Sequence, residues 1–410
     1  MKTHYSVVVV GGGVIGCAVA YYAALNGLEV ALVDTPKRGR ATSASAGGLW
    51  PMGESVGLGC GVIFARAQSA ADADVQHPGR LPRSFLDFAL ESNAMFPDLA
   101  ANLHDETGMD VELERTSLLF LMYDEHDKVF ARALWDDYPQ QRSRFEWLTP
   151  EEVATAEPAL TRDVHGALRF HGDDQLNPYK LADALRAGAR VHGATVLTHT
   201  EVTGVLRIGD RVVGIRTADR TIGCDTLVNA AGAWAGQIGE MAGIDVPVHP
   251  VRGQIVCTET LPELLNACIS TTDCYLAQKQ HGEIIIGSTT EMVGFDTGTS
   301  ETAIRNLSAG AVRAVPALAR ANVKRVWAGL RPGTSDELPI LGPVEGLSGY
   351  LNACGHFRTG VLNAPLTGRI LAELAIGEQP SHPIEPFLMD RFHTSEGDSA
   401  PGVPHVAATA

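Results

Sequence analysis

Near the start of the chain, Val7-Val8-Val9-Val10 is a continuous β-branched run, the pattern of a strand buried on both faces of a parallel sheet. Gly11-Gly12-Gly13-Val14-Ile15-Gly16 follows at once, and the apolar spacing beyond it predicts a helix from about Val14 to Leu25, stopped by Asn26-Gly27. A second strand is predicted from Leu28 to Val33, ending on Asp34. From Arg83 to Leu103 the spacing predicts one amphipathic helix, with Phe85, Phe88, Met95, Phe96, Leu99 and Leu103 on its core side. Alternation near Gly253 to Thr258 and Glu283 to Ser288 predicts antiparallel strands. Asp225 to Ala231 and Tyr350 to Cys354 predict two more strands, entering the turns Ala231-Gly232-Ala233-Trp234 and Gly355-His356-Phe357-Arg358-Thr359-Gly360. A helix from about Val361 to Leu374 follows the second turn.

The first turn carries chemistry. Gly11, Gly13 and Gly16 form G-x-G-x-x-G: the first permits the tight turn, the second lets backbone approach a pyrophosphate, and the third lets the helix pack on the strand. Asp34, at the end of the next strand, can accept both ribose hydroxyls of an adenosine, which disfavours a 2′-phosphate. Strand, turn, helix and acid together indicate a dinucleotide site without choosing between NAD and FAD. Arg40-Ala41-Thr42-Ser43-Ala44-Ser45-Ala46-Gly47-Gly48-Leu49 then supplies small side chains that admit a bulky planar ring, and hydroxyls at Thr42 and Ser43 for phosphate or ribitol oxygens. The Gly355–Gly360 turn aims a further helix N-terminus at a site, where the dipole favours an anionic oxygen. The uncharged stretch from Ser6 to Leu28 is long enough to span a bilayer, and Ala18-Val19-Ala20 resembles a cleavage site. Its central glycines and division into strand and helix oppose both readings.

At 410 residues the chain is long enough for two domains. Lys plus Arg is 32 against Asp plus Glu 48, a net charge of −16, the reverse of what phosphate neutralisation requires, so nucleic acid is excluded as a partner. Seven cysteines without a C-x-x-C pair exclude a disulfide framework, a zinc ribbon or a chain-borne iron–sulfur centre. The 14 histidines lack zinc-site spacing, and no metal is expected.

The fingerprint, Arg40–Gly48, Ala328-Gly329-Leu330-Arg331-Pro332-Gly333 and Gly355–Gly360 together resemble the FAD-dependent D-amino-acid oxidase and glycine oxidase superfamily, from about Tyr5 to Phe392. The strings Ala46–Trp50, Gly53–Phe64, Ile286–Glu291 and Leu351–Gly360 are similar to its cyanide-forming glycine dehydrogenases, while relatives oxidising opines or hydroxyproline share the architecture. The resemblance implies an α/β fold: a Rossmann-type FAD-binding domain (1–80, 165–245 and 325–393) interleaved with an antiparallel-sheet α+β substrate domain (81–164 and 246–324). Residues 394–410 are expected to form a disordered tail, and the Gly-rich stretch 50–80 a lid or partner-docking surface.

The implied activity is oxidation of glycine, through an imine to HCN and CO2, with stand-alone oxidation producing H2O2 as the alternative. Arg331 and the Tyr275 hydroxyl would hold the substrate carboxylate, and Arg358 would face substrate as well. Cofactor contacts implied are Gly11, Gly13, Val14, Ile15, Gly16, Asp34, Thr35, Ala41, Thr42, Ala46, Gly47, Gly48, Val202, His356, Phe357, Arg358, Thr359, Gly360, Val361 and Leu362. Some superfamily members link flavin to a cysteine near the Arg331 segment; Gly329, Leu330 and Arg331 stand there, implying non-covalent FAD. Partner subunits carrying further redox centres are implied, on the cytoplasmic side, with peripheral association at the membrane's inner face as an option.

Overall fold

In the computed structural model, which describes residues 2–58 and 80–392, the valine run forms the strand His4–Val10. Val7 and Val9 enter one hydrophobic core while Tyr5, Val8 and Val10 enter another, so both faces of the strand are apolar. Five parallel strands lie in the order Leu347–Cys354, Thr221–Asn229, His4–Val10, Val30–Val33 and Thr195–Leu197. Antiparallel strands Ile340–Val344, Arg211–Thr217 and Val202–Ile208 complete an eight-stranded sheet. The helices Val14–Leu25, Pro178–Val191 and Gly360–Ala375 share the core on the Val7 face.

A second eight-stranded sheet has the order Val323–Gly333, His249–Thr258, Ile284–Gly287, Tyr275–Gln278, Cys268–Ser270, Ser117–Met122, Gly166–His171 and Phe145–Leu148. Its pairings are antiparallel except Cys268–Ser270 with Ser117–Met122. The helix Glu301–Ala314 covers one face, and Trp50, Met52 and the strand aromatics cover the other. The mixed α/β architecture is the one expected.

Several boundaries differ from the sequence reading. Backbone pairing places Gly166–His171 and Val323–Gly333 in the second sheet, although their numbers put them in the 165–245 and 325–393 blocks. The Arg83–Leu103 helix is two helices, Arg83–Ala94 and Phe96–Thr107. Pro97 has no N–H to continue the first ladder, and it is tolerated in the first turn of the second. Both helices pack with the first sheet's core, through Phe85, Phe88, Phe96, Leu99 and Leu103, while Leu86 of the first helix joins the core of the second sheet. Of the 50–80 stretch, Pro51–Ser55 is a buried helix and residues 59–79 lie outside the described residues, as does the 394–410 tail. The six described cysteines are buried and free. Among the described residues no helix is long and apolar enough to cross a membrane.

The crossing of Val14–Leu25 with Gly360–Ala375 is tight: a methyl group at Gly368 would lie 2.7 Å from the Tyr22 ring and 2.8 Å from the Ala18 carbonyl. Gly368→Val is therefore expected to destabilise the protein by about 1–3 kcal/mol through overpacking, seen as a lower urea midpoint with an unchanged m-value.

Candidate active site

The parallel strands end at the mouth of a cavity whose lining draws on both sheets. Gly11, with φ of +110°, turns the chain under the Ala230 carbonyl, where any side chain would overlap backbone. The helix Val14–Leu25 then starts at Gly13, which brings no capping side chain of its own. Thr42 Oγ1 accepts from Val14 N at 3.0 Å, so that hydroxyl serves the helix start. Asp34 Oδ1 accepts from Gly12 N at 2.8 Å and Arg40 Nη2 at 2.5 Å.

The far end of the cavity lies on four neighbouring strands of the second sheet. Arg331 and Tyr275 stand on the outer two, Gly253 and Gly287 on the inner two. Tyr275 is directly opposite Gly287 and folds over it, while the Arg331 guanidinium lies over Gly253; a methyl at either glycine would overlap the side chain above. Arg331 donates from Nη2 to Ser288 Oγ at 2.5 Å and from Nη1 to the Thr289 carbonyl at 3.0 Å. Trp50 packs edge-on to Tyr275, ring centroids 5.5 Å apart.

Of the expected residues, Gly11, Gly13, Val14, Ile15, Asp34, Thr35, Ala41, Thr42, Ala46, Gly47, Gly48, Val202, Tyr275, Arg331, His356, Phe357, Arg358, Gly360 and Val361 line this cavity. Gly16, Thr359 and Leu362 do not. Gly16 packs under the Gly11 carbonyl, Thr359 Oγ1 donates to the His356 carbonyl at 2.9 Å, and Leu362 is buried in the first core. Arg358 lines the cavity, and its guanidinium is held there by two carboxylates. Its side chain is 2% exposed and donates to both Glu54 and Glu337, the latter at 2.8 Å. Burial raises the Glu54 carboxyl above its usual range, against the pull of Arg358 and then Arg331. Burial also holds the His356 imidazole down at about 3, so it is neutral, with Nε2 3.0 Å from Thr367 Oγ1.

Sequence reasoning missed Glu54, Glu337, Ser288 and Gly253. Only Glu54 carried a signal, an acid within the apolar run Leu49–Phe64.

A model of the family described as FAD dependent oxidoreductase matches residues 6–374. The chain belongs to that family. It is 51% identical to a Pseudomonas aeruginosa protein named hydrogen cyanide synthase subunit HcnC, over 96% of this chain and 97% of the other. It is 30% identical to the glycine oxidase of Bacillus subtilis over 95% of this chain and 98% of that one. The crystal structure of glycine oxidase from Geobacillus kaustophilus superposes with a TM-score of 0.84 at 29% identity, covering 95% of this chain and 99% of the other. As an FAD-dependent oxidoreductase the chain uses FAD, and the cavity suits it. A carboxylate stands at one end, a glycine-flanked helix N-terminus follows, and the small residues Ala44, Ala46, Gly47 and Gly48 leave room toward Tyr275 and Arg331.

In this FAD-dependent oxidoreductase, Arg358→Leu would strand two buried carboxylates. The expected loss is about 3–5 kcal/mol of unfolding free energy, measured by urea titration with FAD in excess, with partial recovery when Glu54→Gln and Glu337→Gln are added.

Proposed function

We propose that the chain oxidises glycine as the FAD-bearing subunit of a cyanide-forming assembly. The observation that carries the substrate class is a charge pairing. Among the described residues lining the cavity, Lys37 pairs with Glu201, Arg40 with Asp34, and Arg358 with Glu54 and Glu337; Arg331 alone is a cation bonded only to neutral groups. A buried-edge guanidinium in that state is the natural partner of a small carboxylate. The 51% identity to a protein named as a hydrogen cyanide synthase subunit supports the cyanide-forming outcome over the stand-alone oxidase, whose named relatives are about 30% identical.

Bound FAD supplies the two-electron acceptor. Arg331, fixed from behind by Ser288 and Thr289, holds the carboxylate, and the Tyr275 hydroxyl is its second donor. Tyr275 and Trp50, both buried, keep water from the Cα side. Asp34 would hold the adenosine ribose and Gly11–Ile15 the pyrophosphate. Glycine becomes HCN and CO2 with release of four electrons and four protons, which requires two successive oxidations through the imine. Partner subunits with their own redox centres would carry the electrons on.

FAD is held non-covalently in this reading: the cavity thiol, Cys354, is buried and its pKa pushed up to about 12, which keeps it protonated and unreactive. Acid precipitation of the yellow protein is expected to leave FAD in the supernatant; colour retained in the pellet would overturn this.

Arg331→Leu tests the clamp. Losing one partner of a desolvated charge pair costs about 2–5 kcal/mol, roughly a thirtyfold to several-thousandfold loss in efficiency of anaerobic flavin reduction by glycine. Arg331→Lys should rescue partly, since an ammonium lacks the planar fork. FAD content should stay at the wild-type level; flavin reduction as efficient as wild type would make Arg331 structural. Oxygen consumption by the isolated chain separates the oxidase from the assembly-dependent enzyme.

A further inference from the structure

We propose that Trp50 sets the size limit of the substrate: its indole fills the space beside the substrate's Cα and confines oxidation to an amino acid without a side chain. The proposal rests on the amino-acid reading of the site and deepens it. The indole touches both halves of the cavity. On the cofactor side it lies against Gly48, where an added methyl would come within 2.8 Å of its ring carbons. On the clamp side it meets Tyr275 edge-on, with an interplanar angle of 78°. A substrate held by Arg331 against the cofactor must sit between those two surfaces, so a ring that contacts both is its immediate neighbour.

The wall is also fixed. Trp50 is 3% exposed, and the helix that follows is pinned by a buried carboxylate: Asp173 accepts from Met52 N at 3.2 Å and Gly53 N at 2.7 Å. Ser55 Oγ donates to the Pro51 carbonyl at 2.6 Å, and the Glu54 carbonyl accepts from Arg358 Nη2 at 3.4 Å. An indole seated on a glycine and held at its backbone cannot swing aside to admit a methyl group. One methyl in a fixed apolar pocket is worth roughly 10–200-fold in discrimination.

The test compares wild-type, Trp50→Phe and Trp50→Ala holoenzymes in two ways. Anaerobic flavin reduction is followed with glycine and with each enantiomer of alanine. Separately, binding of glycolate and of each enantiomer of lactate, which place a hydroxyl where the amine would be, is read from the oxidised flavin's absorbance without turnover. The wild type should favour glycine and glycolate by about 10–200-fold. Trp50→Ala should shrink both preferences at least tenfold for one enantiomer, with Trp50→Phe intermediate and glycine itself less affected. Preferences that stay constant across the variants, with glycine and alanine falling together, would overturn the proposal and leave Trp50 as packing. If the alanine variant holds no FAD, the phenylalanine variant decides by the same ratios. A wild type that glycine does not reduce, but whose preference for glycolate over lactate collapses in the variants, would sink the glycine reading and leave the size limit standing.

Discussion

Arg331 and the cofactor cradle belong to different sheets, and their relative position depends on close approaches between backbones beside that arginine. The segment after Asp34 docks on the strand Val323–Gly333: Leu330 N donates to the Gly39 carbonyl at 2.7 Å, and Arg40 bridges to Leu330. Immediately beside that contact Ala44 lies against Gly329, where a methyl group would overlap the alanine Cβ. Two residues further along the same strand stands Arg331. Phe357 N adds a second tie, to the Pro332 carbonyl at 2.9 Å, from the glycine turn of the first sheet. Arg331 is thus flanked on its own strand by contacts to both nucleotide-side loops. Catalysis by positioning demands this, since a shift of about 1 Å at a reacting centre can cost about a hundredfold.

A second constraint is electrostatic. Arg358 sits between Glu54 and Glu337, with all three side chains at most 9% exposed. The trio lies in a water-poor region, where desolvation is costly and replacing the whole set by apolar groups would often be neutral or better for stability. Its retention is better explained by geometry. The guanidinium spans Glu54 on the Trp50 helix, Glu337 on the loop after Val323–Gly333, and the flavin-side turn, and so sets three chain segments against each other. Helix 51–55 is too short to hold itself in place by propagation; Asp173 and Arg358 hold it.

Local patterns made the first sheet legible. The valine run, the glycine fingerprint and Asp34 report structure formed within about thirty residues, and each names its partner by spacing. Arg331 was singled out through the family resemblance, helped by a turn with glycine and proline on either side that is a poor place for a surface ion pair, and it lines the cavity. The glutamates that occupy Arg358 were not, because one lies 304 residues away and the other sits outside any periodic pattern. Gly253 and Gly287 were equally silent: their role is the empty space above them, which appears only when four strands set them between Arg331 and Tyr275. The break at Met95 was in plain view at Pro97, but the continuous apolar stripe through Phe96 and Leu99 outweighed it.

The chain's net charge of −16 does not oppose the carboxylate-binding site proposed above. Net charge governs the long-range field, which salt screens beyond about 8–10 Å. Inside the cavity the field is set by the nearest groups, and there every other described cation is ion-paired at contact distance while Arg331 is hydrogen-bonded to a hydroxyl and a carbonyl. An excess of surface acids slows the approach of an anion without changing what holds it. For a zwitterion such as glycine even that penalty is small, because its net charge is zero. Surface acidity therefore places little hindrance on a zwitterion's approach, and in the proposed function the grip comes from Arg331, whose own bonds are to neutral groups.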